Sequence, residues 1–295
     1  MEAKFEGSWV ALATPFRDGK LDEAAYRALC EHLLAEGTDG LVPCGTTGET
    51  PTLDDDEQRA CVRIAVDVAR ARSRKVVAGA GSNSTAATIR NVARVREDGA
   101  DGALVVTPYY SKPTQRGIVE HYRAIAQAVP GFPIVAYVVP SRTGVDLLPE
   151  TYPALAEIPE VVAIKEATAN MQRVIDIREK VGARFTLLSG DDFTVLPFVA
   201  CGGRGVISVS ANVAPRHMAD LVHAALEGRI DRAAALQVEM NALHRALFLE
   251  SNPIPVKAAL HLLGRFADEV RQPLLPATEP VREKLRDALR ALGLL

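Results

Sequence analysis

Val161, Val162, Ala163 and Ile164 lead directly into Lys165. A lysine is almost never fully buried unless it is paired or put to use. In a low-dielectric setting its ammonium loses hydration, so the pKa falls and the neutral amine can attack a carbonyl carbon. The chemistry on offer is a Schiff base with a carbonyl compound. The plainer reading makes Lys165 a strand-end residue that reaches solvent or pairs with Glu166.

Other polar residues also follow short apolar runs. GTTGE at 45–49 sets the hydroxyls of Thr46 and Thr47 beside flexible backbone N–H groups, a combination that can cradle a carboxylate. Glycine and threonine are also ordinary turn residues. Tyr137 can pass protons when positioned, and Arg142 in PSRTG at 140–144 carries a fork that binds both carboxylate oxygens. The plainer alternative is a core tyrosine and a surface arginine. Thr107, Pro108, Tyr109 and Tyr110 end another run, and paired aromatics of this kind serve packing or subunit contacts. Asp191 and Asp192 could hold a metal, but histidine is sparse, none of the six lies near them in sequence, and a helix N-cap explains them better.

The elements that must carry these residues alternate regularly. Strands are predicted at 8–16, 41–44, 76–80, 103–107, 134–139, 161–165, 186–189 and 205–209. Helices are predicted between them, among others at 24–36, 54–70, 85–97, 117–129 and 171–181, with 215–226 after the eighth strand. The acidic first turn of the 54–70 segment suits the helix dipole. Most strands are continuous apolar runs, as in a parallel sheet covered on both faces. Eight such units fit an α/β fold of the (β/α)8 TIM-barrel type, with active-site residues at the carboxyl ends of the strands. A doubly wound open sheet is the alternative, although no G-x-G-x-x-G follows the first strand. After Arg229 the pattern changes to helices at 233–249, 255–263 and 280–292 without strands. The expected organisation is a barrel over 1–228 and a small C-terminal helical appendix over 229–295.

Composition narrows the function. The chain has 295 residues, 48% hydrophobic and 24% charged, with a net charge of −3 and 5% aromatics. These values fit an ordinary globular protein and disfavour nucleic acid, which usually wants a basic face or stacking aromatics. No apolar run approaches a membrane span, and residues 1–16 lack a signal-peptide pattern, so a cytoplasmic location is expected. Cys30, Cys44, Cys61 and Cys201 form no C-x-x-C pair, which points to reduced, buried thiols.

Taken in order, GTTGE at 45–49, TPYY at 107–110, PSRTG at 140–144, IKEA at 164–167, SGDD at 189–192 and NPIPVK at 252–257 resemble the dihydrodipicolinate synthase/N-acetylneuraminate lyase family, and its synthase branch most closely. The resemblance spans residues 7–295. It implies a class I lyase that joins pyruvate to L-aspartate 4-semialdehyde with no metal or organic cofactor. Lys165 matches the Schiff-base lysine and Tyr137 the proton-relaying tyrosine. Thr47 matches the threonine bridging two tyrosines, and Thr46 helps hold the pyruvate carboxylate. Tyr110 matches the tyrosine that enters a neighbouring subunit's site. Arg142 matches the arginine for the second carboxylate, and Gly190 and Ile207 line the pyruvate pocket. A homotetramer built as a dimer of dimers is implied.

Two departures stand out. The family usually has asparagine after the catalytic tyrosine, where this chain has Val138, and a strand turns neighbours to opposite faces, so Val138 should meet the helix layer. In members inhibited by L-lysine, two histidines and a glutamate hold the ligand. The matching positions are Asp55, Gln58 and Ala87, while Asn83 and Tyr109 remain, so the resemblance implies weak or absent inhibition. Two rivals share these residues: another pyruvate-dependent aldolase of the family acting on sugar acids, and a barrel that senses 2-oxo acids without turnover.

Overall fold

The computed structural model describes residues 5–295. Eight parallel strands close into a barrel: β1 (Gly7–Ala11), β2 (Gly40–Val42), β3 (Lys75–Gly79), β4 (Gly102–Val106), β5 (Ile134–Val138), β6 (Val161–Glu166), β7 (Thr186–Ser189) and β8 (Gly205–Ser208). β1 pairs with both β2 and β8, so no edge is left open, and the doubly wound alternative is set aside. The helices that follow the strands in turn are α1 (Glu23–Ala35), α2 (Asp55–Arg70), α3 (Thr85–Glu97), α4 (Gln115–Ala128), α5 (Tyr152–Ala156), α6 (Met171–Val181), α7 (Val195–Ala200) and α8 (Pro215–Leu226). Residues 1–4 of the expected barrel segment lie outside the described residues.

Local chemistry sets the boundaries. α2 begins on a capping box: the Glu57 N–H donates to Asp54 Oδ1 at 2.8 Å and the Asp54 N–H to Glu57 Oε2 at 3.2 Å. The first strand stops earlier than predicted, at Ala11 rather than Phe16. There the Ala13 N–H donates to Asn212 Oδ1, Thr14 Oγ1 donates to Gly48 O, and Pro15 has no N–H to give. Phe16–Arg17 instead pairs antiparallel with Lys20–Leu21 in a short ribbon. The predicted helix at 233–249 is two helices, α9 (Ile230–Glu239) and α10 (Asn241–Leu247), bent at the buried Met240. α11 (Ile254–Leu262) and α12 (Glu279–Ala291) complete the C-terminal part.

The apolar residues sort into two cores. Ile134, Ala136 and Val138 of β5 face outward into the sheet–helix layer, while Val135 and Tyr137 face the barrel interior with Trp9, Val42, Leu188 and Ile207. Val138 therefore packs against the helices, as its place in the alternation requires, and is fully buried. Burying a valine side chain there contributes about 1.5–3 kcal/mol. β6 breaks the alternation once. Ile134 pairs with Val161 but Val135 pairs with Ala163, so Val162 is an extra residue, and both Val162 and Ala163 lie on the interior side.

Candidate active site

Lys165 comes from the interior face of β6, in register with Tyr137 of β5. Its Nζ lies 4.3 Å from the centre of the Tyr137 ring. Burial of the ammonium lowers the pKa from 10.5 to about 8; the Asp192 carboxylate opposes this and the Arg142 guanidinium adds to it. Lys165 forms no ion pair with the described carboxylates. Glu166, one step along the strand, faces the other way. It is buried against Arg173, whose Nε lies 3.0 Å from Glu166 Oε2, and its Oε1 accepts from the Thr168 N–H. The plainer reading of a Lys165–Glu166 pair is therefore set aside.

Tyr137 is 8% exposed. Burial holds its phenol above the ordinary tyrosine range, against the pull of the Arg142 cation and a hydrogen bond with the Thr46 side chain. Tyr137, Thr46 and Arg142 line one cavity of about 680 Å³, together with Tyr109 and Asn252. Lys165 does not line that cavity itself; the Tyr137 ring, which does, rests against its Nζ.

Two glycine and loop features shape the floor. A Cβ added at Gly190 would lie 2.6 Å from Ala167 Cβ and 3.1 Å from Lys165 Cε, so only glycine leaves the lysine its place. Ile207 is interior and 2% exposed. The GTTGE stretch forms a tight helical turn over Thr46–Gly48, with Glu49 in the left-handed region at φ 54°.

The two threonines point to different partners. Thr47 is buried and its Oγ1 accepts from Asn252 Nδ2 at 3.0 Å, whereas Thr46 lines the cavity with Tyr137. The reason is the tight turn, which rotates adjacent side chains to different sides. Tyr110 lies outside the cavity, 88% exposed and at φ 71°, with its N–H donating to Thr143 O.

The whole chain can be compared with known proteins. A model of the dihydrodipicolinate synthetase family matches residues 4–292. The chain belongs to this family. A 4-hydroxy-tetrahydrodipicolinate synthase of Anaeromyxobacter sp. strain K is 55% identical over 292 residues, covering 99% of this chain and 98% of the relative. The crystal structure of the chloride-inhibited dihydrodipicolinate synthase from Acinetobacter baumannii complexed with pyruvate is 42% identical, with a TM-score of 0.96 and coverage of 99% and 100%. A dihydrodipicolinate synthase of Cyanidioschyzon merolae with lysine bound is 39% identical, with a TM-score of 0.95 and coverage of 99% of each chain.

In this member of the dihydrodipicolinate synthetase family, Asp191 stands at the N-cap of a short helical turn over Asp192–Thr194, without a side-chain bond to the turn's backbone, and Asp192 lies inside the turn. Asp191 Oδ2 accepts from Thr194 Oγ1 at 2.7 Å. Asp192 reaches across to the next strand's end, where its Oδ2 accepts from the Val209 and Ser210 N–H groups and the Ser210 hydroxyl. His244 Nδ1 lies 2.8 Å from Ser210 Oγ, so a histidine distant in sequence joins this group after all. Burial lowers the His244 pKa, against the pull of the Asp192 carboxylate. Sequence reasoning also assigned no part to Glu49, Asn252, Lys257 or Arg271, although three of them stand in the quoted motifs. Cys30, Cys44 and Cys61 are buried free thiols, and Cys201 is half-buried. No helix among the described residues is long and apolar enough to cross a membrane.

Proposed function

We propose that this protein condenses pyruvate with L-aspartate 4-semialdehyde to give 4-hydroxy-tetrahydrodipicolinate, a step toward lysine and diaminopimelate. The observation that carries the proposal is the buried, unpaired Lys165 with its pKa near 8, set against Tyr137 beside a cavity lined by Thr46 and Arg142. The relatives of known name support the choice of substrates.

Neutral Lys165 attacks the keto carbon of pyruvate and water leaves, giving an iminium that acts as an electron sink. A methyl proton leaves by way of Tyr137, whose phenol passes its own proton on to the Thr46 hydroxyl as it takes the new one, and an enamine forms. The enamine carbon bonds to the aldehyde carbon of the semialdehyde, whose oxygen takes up a proton. The amine of the semialdehyde then adds to the iminium carbon, closes the ring and expels Lys165. Thr46 takes the relay role beside Tyr137, and Thr47 with the turn amides takes the pyruvate carboxylate, the reverse of the assignment read from sequence. Arg142 receives the second substrate's carboxylate. Gly190 and Ile207 bound the pyruvate methyl and keto group. The exposed Tyr110 completes a neighbour's relay in a dimer, and two dimers form the tetramer. Residues 1–228 form the catalytic unit, and 229–295 the appendix that supports it.

Offering pyruvate with a panel of aldehydes and reading product mass tests this. The semialdehyde should give the heterocyclic product in strong preference to sugar aldehydes. Preference for a sugar aldehyde would make the protein a sugar-acid aldolase, and an adduct with no product from any aldehyde would make it a 2-oxo acid sensor.

A further inference from the structure

The loop that carries Thr46 and Thr47 is held from far along the chain. Glu49 separates two tight helical turns, Thr46–Gly48 and Thr50–Thr52, and sits at φ 54°, ψ 35°. A non-glycine residue disfavours that conformation, so surrounding contacts must impose it. They come from 208 to 222 residues away. Lys257 Nζ is ion-paired with Glu49 Oε1, and the two side chains are 2% and 1% exposed. The Arg271 N–H donates to Glu49 Oε2 at 2.9 Å. Lys257 and Arg271 both rest on the Phe16 ring, each 4.1 Å from its centre. Asn252 Nδ2 donates to Thr47 Oγ1 at 3.0 Å, and Arg271 Nη1 donates to Thr52 O at 2.7 Å. Every turn of the 45–53 loop is thus tied to residues 252–271.

We propose that Asn252 and Lys257 are positioning residues for the pyruvate site, acting through Thr47 and Glu49. The inference rests on the function proposed above. A buried ion pair is a poor source of net stability, because desolvating both charges offsets their attraction. Its value lies in geometry: Glu49 has one place to go, and the backbone N–H groups and hydroxyls of 46–48 follow it. Asn252 also lines the cavity, and its Oδ1 is buried without a partner, so the amide has no other anchor than Thr47. The C-terminal appendix on this view is part of the catalytic apparatus rather than a cover for the barrel.

The test follows borohydride trapping of pyruvate on Lys165 across pyruvate concentrations, with circular dichroism for folding. Three variants serve: Asn252→Ala, Lys257→Arg, and the doubly neutral Glu49→Gln/Lys257→Met, which leaves no lone buried charge. Half-saturation by pyruvate should rise by about tenfold or more in Asn252→Ala and in the double variant, since small misplacements are costly. The semialdehyde KM should change far less, and Lys257→Arg should stay near the wild type. Unchanged pyruvate half-saturation in folded variants overturns the proposal, as does a loss shared equally by both substrates and matched by lower thermal stability. Should the double variant not fold, Asn252→Ala alone decides. Absence of trapping in the wild-type protein would instead refute the Schiff-base function itself.

Discussion

Tyr137 and Lys165 face each other in register across β5 and β6 only because β6 carries an extra residue at Val162. Without that bulge Tyr137 would pair with Ile164, and Lys165 would turn outward to the helices, because a one-residue slip exchanges the faces of a strand. With it, the lysine amine enters the barrel 4.3 Å from the phenol ring centre. Deletion of Val162 removes only the residue that the bulge absorbs, so Ala163 to Lys165 keep their pairing and the folded variant should still trap pyruvate. A folded deletion variant with no adduct would show that the register across β5 and β6 is not what orients Lys165.

The covalent step itself has a direct readout. Pyruvate with borohydride should add the mass of a reduced adduct to the peptide carrying Lys165, the lysine whose amine is both buried and free of a carboxylate. Modification of Lys112 or Lys257 in its place, or none, is the contrary result.

The pKa near 8 has two consequences. The neutral amine accumulates as pH rises, so kcat/KM for pyruvate should climb through neutrality and level off above about 8. Stability moves as well. The folded value lies below the unfolded value of 10.5, so burial of the charged lysine destabilises the fold fully below pH 8, and this penalty fades as pH rises through 10.5. Lys165→Met should stabilise the protein by up to about 3 kcal/mol at neutral pH. Urea unfolding at neutral and strongly alkaline pH measures it; a gain independent of pH would contradict this account.

Much of this was legible in the sequence, for reasons that differ by residue. The barrel could be read because continuous apolar strands alternate with amphipathic helices, and Lys165 stood out as a charge closing an apolar run. The bulge could not be read, because the four apolar residues from Val161 to Ile164 have no polar alternation to betray a change of phase. The threonine order proposed here differs from the one the resemblance implies, because a tight turn, not strand geometry, sets where Thr46 and Thr47 point. Asn252 and Lys257 act across 205 and 208 residues and His244 across 34, so only the packing of the C-terminal helices brings them to the site.

Arg142 should separate the two substrates. It is exposed at the cavity, and its cation lowers the Lys165 pKa. Arg142→Ala should raise KM for the semialdehyde about 10–100-fold, the loss of a charged hydrogen bond worth about 1.5–3 kcal/mol. Pyruvate trapping should survive on the plateau of its pH profile, with the midpoint moved to higher pH. Equal damage to both substrates would make Arg142 a structural residue.

Tyr110 is exposed and backbone-strained, too far out to serve its own chain's cavity. Mixing inactive Tyr110→Phe and Lys165→Ala subunits should restore part of the activity, since one site of a mixed dimer keeps both groups. A mixture that stays inactive despite proven subunit exchange would refute a role across the interface.

L-lysine should inhibit weakly or not at all. Arg94 occupies the region where the matching residues of inhibited relatives hold a cationic ligand. Its guanidinium is ion-paired with Asp55, and its Nη2 donates to Gln58 Oε1 at 2.7 Å and to Asn91 Oδ1 at 3.4 Å. Asp55, the one carboxylate that could replace the missing glutamate, is thereby engaged, and Ala87 offers no charge. Gln58 and Asn91 line the rim of the same cavity as Tyr109, so an incoming ammonium would approach a fixed guanidinium 15% exposed behind them. Like charges at such distances repel, and an ammonium desolvated without a partner costs several kcal/mol, enough to erase sub-millimolar binding. Activity should hold at saturating pyruvate as L-lysine rises to about 1 mM, which corresponds to roughly −4 kcal/mol of binding. Arg94→Glu, which replaces the guanidinium with a carboxylate, should increase whatever sensitivity exists. Clear inhibition of the wild-type protein below that concentration, or no change in Arg94→Glu where some inhibition is measurable, would show that Arg94 does not govern this pocket.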